Sequence, residues 1–404
     1  MGTYITLGIK KFDVAWGKNN YFEPFNDLFQ DNDYKYVDYY YVENVTERKL
    51  AYSSPIQKIK KRLDVLGYDI GSCKKIYDNL FKEYYEYRDD EIVLLTFEEF
   101  YNVFTKIDIG KINQNLYNDD YDLGEYAKIV VFGQLEIKKI LPFNEIGIDY
   151  EWYENIPPRL ILRILCDNPS VQEEEVTWYI ADVIESEWVT EEELKPLVNQ
   201  KDKIMIVTEG SSDTNIIKKS LQYIYGEISD LFDFVDMDKN YPFGSCGQLY
   251  NFCKGLTHIK ITNNVLVIFD NDTSGIEMYN KCKSECTKMA NIKFYHLPNY
   301  SEFEEFLCIG PCGETFENIN GKAVSIENFL DLNYKNDTKP RIRWGGYNIS
   351  MNQYQGALEN KEQYSKMFFS NYKNKDYNLS KIKFLLDDII TFWIRERNNE
   401  YQNK

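Results

Sequence analysis

Two short apolar runs, each ending in carboxylates, constrain this chain more than any other feature of it. The first is Lys203-Ile204-Met205-Ile206-Val207-Thr208-Glu209-Gly210. The second, about sixty residues on, is Val265-Leu266-Val267-Ile268-Phe269-Asp270-Asn271-Asp272-Thr273-Ser274-Gly275. Both are rich in β-branched residues, too short for helices and followed at once by turn residues. Each therefore reads as a strand buried on both faces of a parallel sheet. In open α/β sheets ligands sit beyond the carboxyl ends of the strands, and the acids fall there. Ser211-Ser212-Asp213 follows Glu209, and then Ile216, Ile217, Leu221 and Ile224 recur at helical spacing. Asp213 thus lies in the first turn of a helix leaving the strand end. Asp270 and Asp272 are two residues apart, so an extended segment points both to one side.

Four carboxylates in one cleft repel one another and rise in pKa unless a cation neutralises them. Oxygen-only donors suit Mg²⁺ or Mn²⁺, which bind a few carboxylates and keep room for waters and phosphates. The stretch resembles the Toprim domain of topoisomerases, primases and OLD-family nucleases, through Glu209-Gly210 and Asp270-x-Asp272-x-x-Gly275. That resemblance implies a Rossmann-like, mainly parallel sheet flanked by helices, and phosphodiester hydrolysis with Mg²⁺ or Mn²⁺ as cofactor. On it, Asp270 and Asp272 hold the metal, Glu209 binds metal or serves as general base, and Asp213 holds a second ion. The spacing Glu209-x3-Asp213 is similar to the doubled acids of OLD-family nucleases, which favours a nuclease over a primase. Lys322 is a candidate for stabilising transition-state charge, and Glu327 for joining the metal ligands. Ser274 and Gly275 suit a close backbone approach.

The chain's start, Met1-Gly2-Thr3-Tyr4 … Phe12-Asp13-Val14-Ala15-Trp16-Gly17-Lys18-Asn19, resembles the HEPN/Toprim N-terminal domain family. That family fronts nucleases of bacterial conflict and phage defence, which implies an antiviral role. Only two histidines occur, His258 and His296, and neither follows an arginine by four to seven residues. The Arg-x4–6-His arrangement of a HEPN ribonuclease is missing, leaving the acid cluster as the visible active site. Two readings stand beside the nuclease: a non-cleaving Toprim-like scaffold that binds nucleic acid or senses a phage protein, and a topoisomerase- or primase-related enzyme.

The expected organisation has four parts. Residues 1–110 read as an α+β N-terminal domain, with strands at Tyr4–Ile9, Phe12–Trp16 and Tyr36–Val42. Residues 111–200 read as a helical connector, with Glu173-Glu174-Glu175 on a solvated helix face beside Trp178 and Trp188. Residues 201–330 form the Toprim domain, with a loop-rich insertion at 299–322. Residues 331–404 form a small, mostly helical and basic C-terminal region. The net charge is −18, which argues against a protein that coats nucleic acid indiscriminately. Only residues 331–404 are net basic, with 13 basic side chains against nine acidic. There Lys339, Arg341, Arg343 and Trp344 suit nucleic-acid binding: arginine forks match phosphate oxygens and an indole stacks on a base. The expected partners are DNA or RNA, with a partner protein or a homo-oligomer concentrating the substrate on so acidic a chain. Scattered cysteines, no secretory leader and no long apolar run point to a cytoplasmic protein free of the membrane.

Overall fold

A computed structural model describes residues 2–41, 46–86, 94–112, 122–141, 150–235, 244–286, 289–335 and 338–400. The chain divides into two compact units, Met1–Val198 and Asn199–Glu400.

The first unit is built on an antiparallel sheet. Its strands are β1 (Tyr4–Ile9), β2 (Phe12–Lys18), β3 (Tyr34–Tyr40), β4 (Thr46–Pro55) and β5 (Glu175–Tyr179), in the order β2-β1-β5-β4-β3. Lys10, at φ 54°, makes the tight turn between β1 and β2. Helices α1 (Ile56–Leu63), α2 (Ile70–Glu86), α3 (Phe97–Phe104) and α6 (Pro158–Leu165) belong to this unit. So do the short helices α4 (Leu123–Tyr126), α5 (Leu135–Lys138) and α7 (Ala181–Glu185). The last strand in sequence is the middle one in space. Trp178 on β5 lies opposite Leu7 of β1 and Tyr52 of β4, and its indole stacks on Phe29 at 6.3 Å. Where a helix is expected around Glu173–Glu175, Glu173 and Glu174 instead lead into a strand that begins at Glu175. Val176, Thr177, Trp178 and Tyr179 are β-branched or aromatic and fit a pleated, buried surface better than a helix. The helical pattern from Tyr126 to Leu141 is likewise broken between Phe132 and Gln134. The strand expected to reach Val42, and the apolar run at Ile92 and Val93, extend outside the described residues.

The second unit holds a parallel sheet, with β6 (Ile204–Val207), β7 (Phe232–Phe234), β8 (Asn264–Phe269) and, after the two-residue β9 (Asn271–Asp272), β10 (Ile292–His296). The order β10-β8-β6-β7 places the two acid-ended strands side by side. Val207, the last residue of β6, pairs with Val267, and β8 runs on to Phe269, so the register sets Glu209 level with the end of β8. Helices α8 (Ser211–Ile224), α9 (Cys246–His258) and α10 (Thr273–Glu285) connect them. Burying β8 on both faces accounts for its unbroken apolar run.

Residues 299–358 hold more sheet than the sequence pattern indicated. β11 (Phe306–Gly310) and β12 (Gly313–Glu317) form a hairpin inside the supposed loop-rich insertion. β13 (Ala323–Val324) pairs with β9. β14 (Ile342–Asn348) and β15 (Gln353–Leu358) form a second hairpin alongside β11. Exposed polar residues and glycines on these strands hid their alternation. The chain ends on α11 (Lys361–Asn371) and α12 (Ser380–Glu400). Tyr225 and Tyr295 both bond α12, through Asp387 and Asp388.

Candidate active site

Glu209 follows β6 by two residues. Between them, the Thr208 hydroxyl bonds the Gly210 carbonyl at 2.9 Å and lies 2.7 Å from the Thr214 hydroxyl, which fixes the strand-to-helix turn. Because the register brings Glu209 level with Phe269, it meets the end of β8 directly: the backbone N–H of Asp270 donates to its Oε1 at 3.2 Å. Asp213 sits in the first turn of α8, as its position in the sequence required. Asp272 is the N-cap of α10, its Oδ1 accepting the N–H of Gly275 at 2.7 Å. Gly275 is required at this turn. A Cβ there would collide with the carbonyl of Asp270, so the close approach is between the helix start and the acid loop itself.

The carboxylates feel one another. Burial pushes the Glu209 carboxyl up to about 7, helped by the charge of Asp272. Burial raises Asp213 to about 8, with Glu327 and then Glu209 adding to the effect. Asp270 is raised well above the usual carboxylate range by burial, then by Asp213 and Glu209. Burial also raises Asp272, against the stabilising N–H of Gly275. Glu327 is 5% exposed and is tied down by hydroxyls: Ser325 donates to its Oε2 at 2.9 Å, and Ser212 of α8 approaches its Oε1 at 3.4 Å. It thus joins the four acids recognised from the two strand ends.

Among the described residues, the cation that faces this cluster is Lys361, the first residue of α11. Its ammonium lies 3.9 Å from Glu327 Oε2. Desolvation pulls its pKa down, but the charges of Asp270, Glu327, Asp213 and Asp272 outweigh that and raise it. Lys322 is placed otherwise: its backbone bridges to Asp272, and its charge is felt at Cys308. Nothing in the sequence around Lys361 marked it among the basic residues of its segment. The one local sign was Asn360, which takes the left-handed conformation at the helix start, with φ 60°. The turn Gly244-Ser245-Cys246-Gly247 opens α9, capped by Ser245. The Cys246 thiol there is pushed up to about 11 by burial and then by Glu209 and Asp272, which puts this helix start beside the acids.

Of the other sequence candidates, Arg341, Arg343 and Trp344 lie on or just before β14. Arg341 and Arg343 both reach Glu359, with Nε–O distances of 2.5 and 2.6 Å, and Trp344 Nε1 donates to Glu317 at 3.2 Å. Lys339 is exposed.

Among the described residues, the donor chemistry fits a hard divalent ion: oxygen atoms only, five carboxylates, and one ammonium facing them. Their arrangement is not yet that of a ligand sphere. Among the described residues, no three His, Cys, Asp or Glu side chains are grouped so as to hold one ion. Several carboxylate oxygens are instead engaged by N–H and O–H donors of the protein.

A parallel sheet with paired acids beyond its carboxyl ends, flanked by helices, defines a Toprim-type α/β unit. Comparison with known families adds the other half of the chain. The model of HEPN/Toprim N-terminal domain 1 matches residues 1–202, and the chain belongs to this family. A search of curated proteins found no match, and a search of solved structures found none either. Membership ties the chain to Toprim-associated, nuclease-like proteins. Among the described residues no helix is long and apolar enough to cross a membrane.

Proposed function

We propose that this protein is a Mg²⁺- or Mn²⁺-dependent nuclease that hydrolyses phosphodiester bonds of DNA or RNA and acts in the cytoplasm as an effector of bacterial defence against phage. The observation that carries this reading is the convergence of Glu209, Asp213, Asp270, Asp272 and Glu327 at the ends of β6 and β8, opposite Lys361. Carboxylates that raise one another's pKa are costly to gather unless a cation uses them. Asp270, Asp272 and Glu209 would hold one ion, and Asp213 with Glu327 a second. A bound divalent ion supplies positive charge for the phosphoryl oxygens and makes water a competent nucleophile near neutral pH. The chain's own part is to orient and to move protons. Glu209, whose Oε1 accepts the Asp270 N–H at the strand end, is placed to hold the ion or to take a proton from the attacking water. Lys361 places an ammonium where charge grows on the transferring group.

A second reading is a non-cleaving nucleic-acid-binding module. It draws on the presence of Lys361 among the acids, where its ammonium already offsets part of their charge. Incubating the purified full chain with plasmid, single-stranded DNA and tRNA, in Mg²⁺, Mn²⁺ or EDTA, separates the two. A nuclease cleaves at least one substrate with metal and none in EDTA, and loses that activity in Asp270→Ala and Asp272→Ala. Metal-independent degradation, or full activity in either variant, would contradict the assignment.

A further inference from the structure

Asp272 is held by both of its oxygens, from two different elements. Oδ1 accepts the N–H of Gly275 in α10. Oδ2 accepts Nε2 of Gln355, on β15, at 2.7 Å. The far end of the same amide is also fixed. Gln355 Oε1 accepts the N–H of Ser274 at 3.0 Å and the Ser274 hydroxyl at 2.6 Å. Two donors face the oxygen, so the amide has one orientation that satisfies it, with its NH₂ toward Asp272.

The strand that carries Gln355 is itself clamped over the acid loop. The Thr273 hydroxyl donates to the Tyr354 carbonyl at 3.1 Å, and Gln353 Nε2 donates to the Gly321 carbonyl at 2.8 Å. The Gly356 N–H donates to the Lys322 carbonyl at 3.1 Å, and Asn348 bonds Glu277 of α10 at 2.9 Å. The β14–β15 hairpin therefore arrives at Asp272 as a rigid element, and Gln355 is its contact with a carboxylate of the cluster. Each oxygen of an ionised carboxylate has two lone pairs. One bond to each fixes the plane of the group and still leaves both oxygens able to bind an ion.

We infer that Gln355 is a positioning residue: its amide N–H sets the orientation of the Asp272 carboxylate for a divalent cation. This rests on reading Asp272 as a metal ligand. Partners of a ligating carboxylate fix its direction, and their loss costs about 10–100-fold in metal affinity or activity.

The test uses the full chain and two near-isosteric variants, Gln355→Glu and Gln355→Met. The first keeps an acceptor for Ser274 but sets a second carboxyl beside Asp272, which serves as the control for added charge. The second loses both without opening a large void. Titration with Mn²⁺ in the absence of nucleic acid, followed by calorimetry, should show affinity lowered about 10–100-fold in Gln355→Met. Half-maximal cleavage should move to correspondingly higher Mn²⁺, with the melting temperature of the metal-free protein held. Wild-type Mn²⁺ affinity in Gln355→Met would overturn the inference while leaving the nuclease reading intact. Loss of cooperative melting in both variants would assign Gln355 a structural role and overturn it equally. If the unsubstituted protein neither binds Mn²⁺ nor cleaves, the nuclease reading fails and takes the inference with it.

Discussion

The ammonium of Lys361 lies 3.9 Å from Glu327, and its charge is felt by Asp213, Asp270 and Asp272 as well. One cation from the C-terminal part of the chain thus faces carboxylates contributed by two strand ends and a later turn. It can serve the acids in two ways: as a stand-in that lowers their repulsion without metal, and as a donor to developing charge during cleavage. These roles predict opposite effects on two measurable quantities. In Lys361→Met, kcat at saturating Mn²⁺ should fall about 10²–10³-fold, the usual loss when one such donor is removed. Mn²⁺ affinity should hold or tighten, because a competing charge has gone. Unchanged kcat would remove Lys361 from the chemistry.

The raised carboxyls predict how stability follows pH. Below about pH 3 these groups are protonated in both folded and unfolded chains. As pH rises, the unfolded chain ionises at ordinary values while the folded unit keeps its protons until about 7 at Glu209 and about 8 at Asp213. The folded state binds more protons over this window, so stability falls as pH climbs from about 4 to about 8. In EDTA, urea unfolding of the wild type should lose more stability between pH 5 and pH 8 than unfolding of Asp213→Asn. Saturating Mn²⁺ should shrink the wild-type loss, since the ion replaces the protons. A wild-type loss no larger than the variant's would contradict the raised Asp213.

Gly275 allows the start of α10 to touch the Asp270 backbone. Gly275→Ala forces a backbone against a backbone, so the acid loop must shift. Overpacking of this kind costs about 1–3 kcal/mol, readable by urea denaturation. Cleavage should drop further than stability alone explains, because Asp270 and Asp272 move with the loop. A variant with wild-type stability and activity would show that the helix start can yield.

Arg341 and Arg343 share Glu359, so their charges are already partly answered within the hairpin. If this surface holds nucleic acid, Glu359→Gln should release both guanidinium groups and steepen the salt dependence of binding, by about one to two units of log–log slope. Arg341→Ala with Arg343→Ala should flatten it by a similar amount. Exposed ion pairs contribute about 0–1 kcal/mol, so melting should barely move in either. Equal salt slopes in all three proteins would leave the arginines as hairpin ties alone.

The two acid-ended strands and the helix carrying Asp213 were legible in the sequence, because local physics decides them. A short β-branched run followed by a turn has few other ways to fold, and the acids come at fixed offsets from it. The helix around Glu173–Glu175 was misread for the opposite reason. β5 enters the first sheet between β1 and β4, strands more than a hundred residues earlier, and only that burial favours strand over helix. Lys361 and Gln355 were invisible for a related reason. Their relation to the acids depends on α11 and the β14–β15 hairpin returning to the ends of β6 and β8. No periodicity or spacing records where a distant segment comes to rest. The sequence by itself determined which residues could carry charge at the strand ends. Tertiary structure alone decided which cation answers them and which amide holds Asp272, because those contacts join segments about 80 to 150 residues apart in the chain.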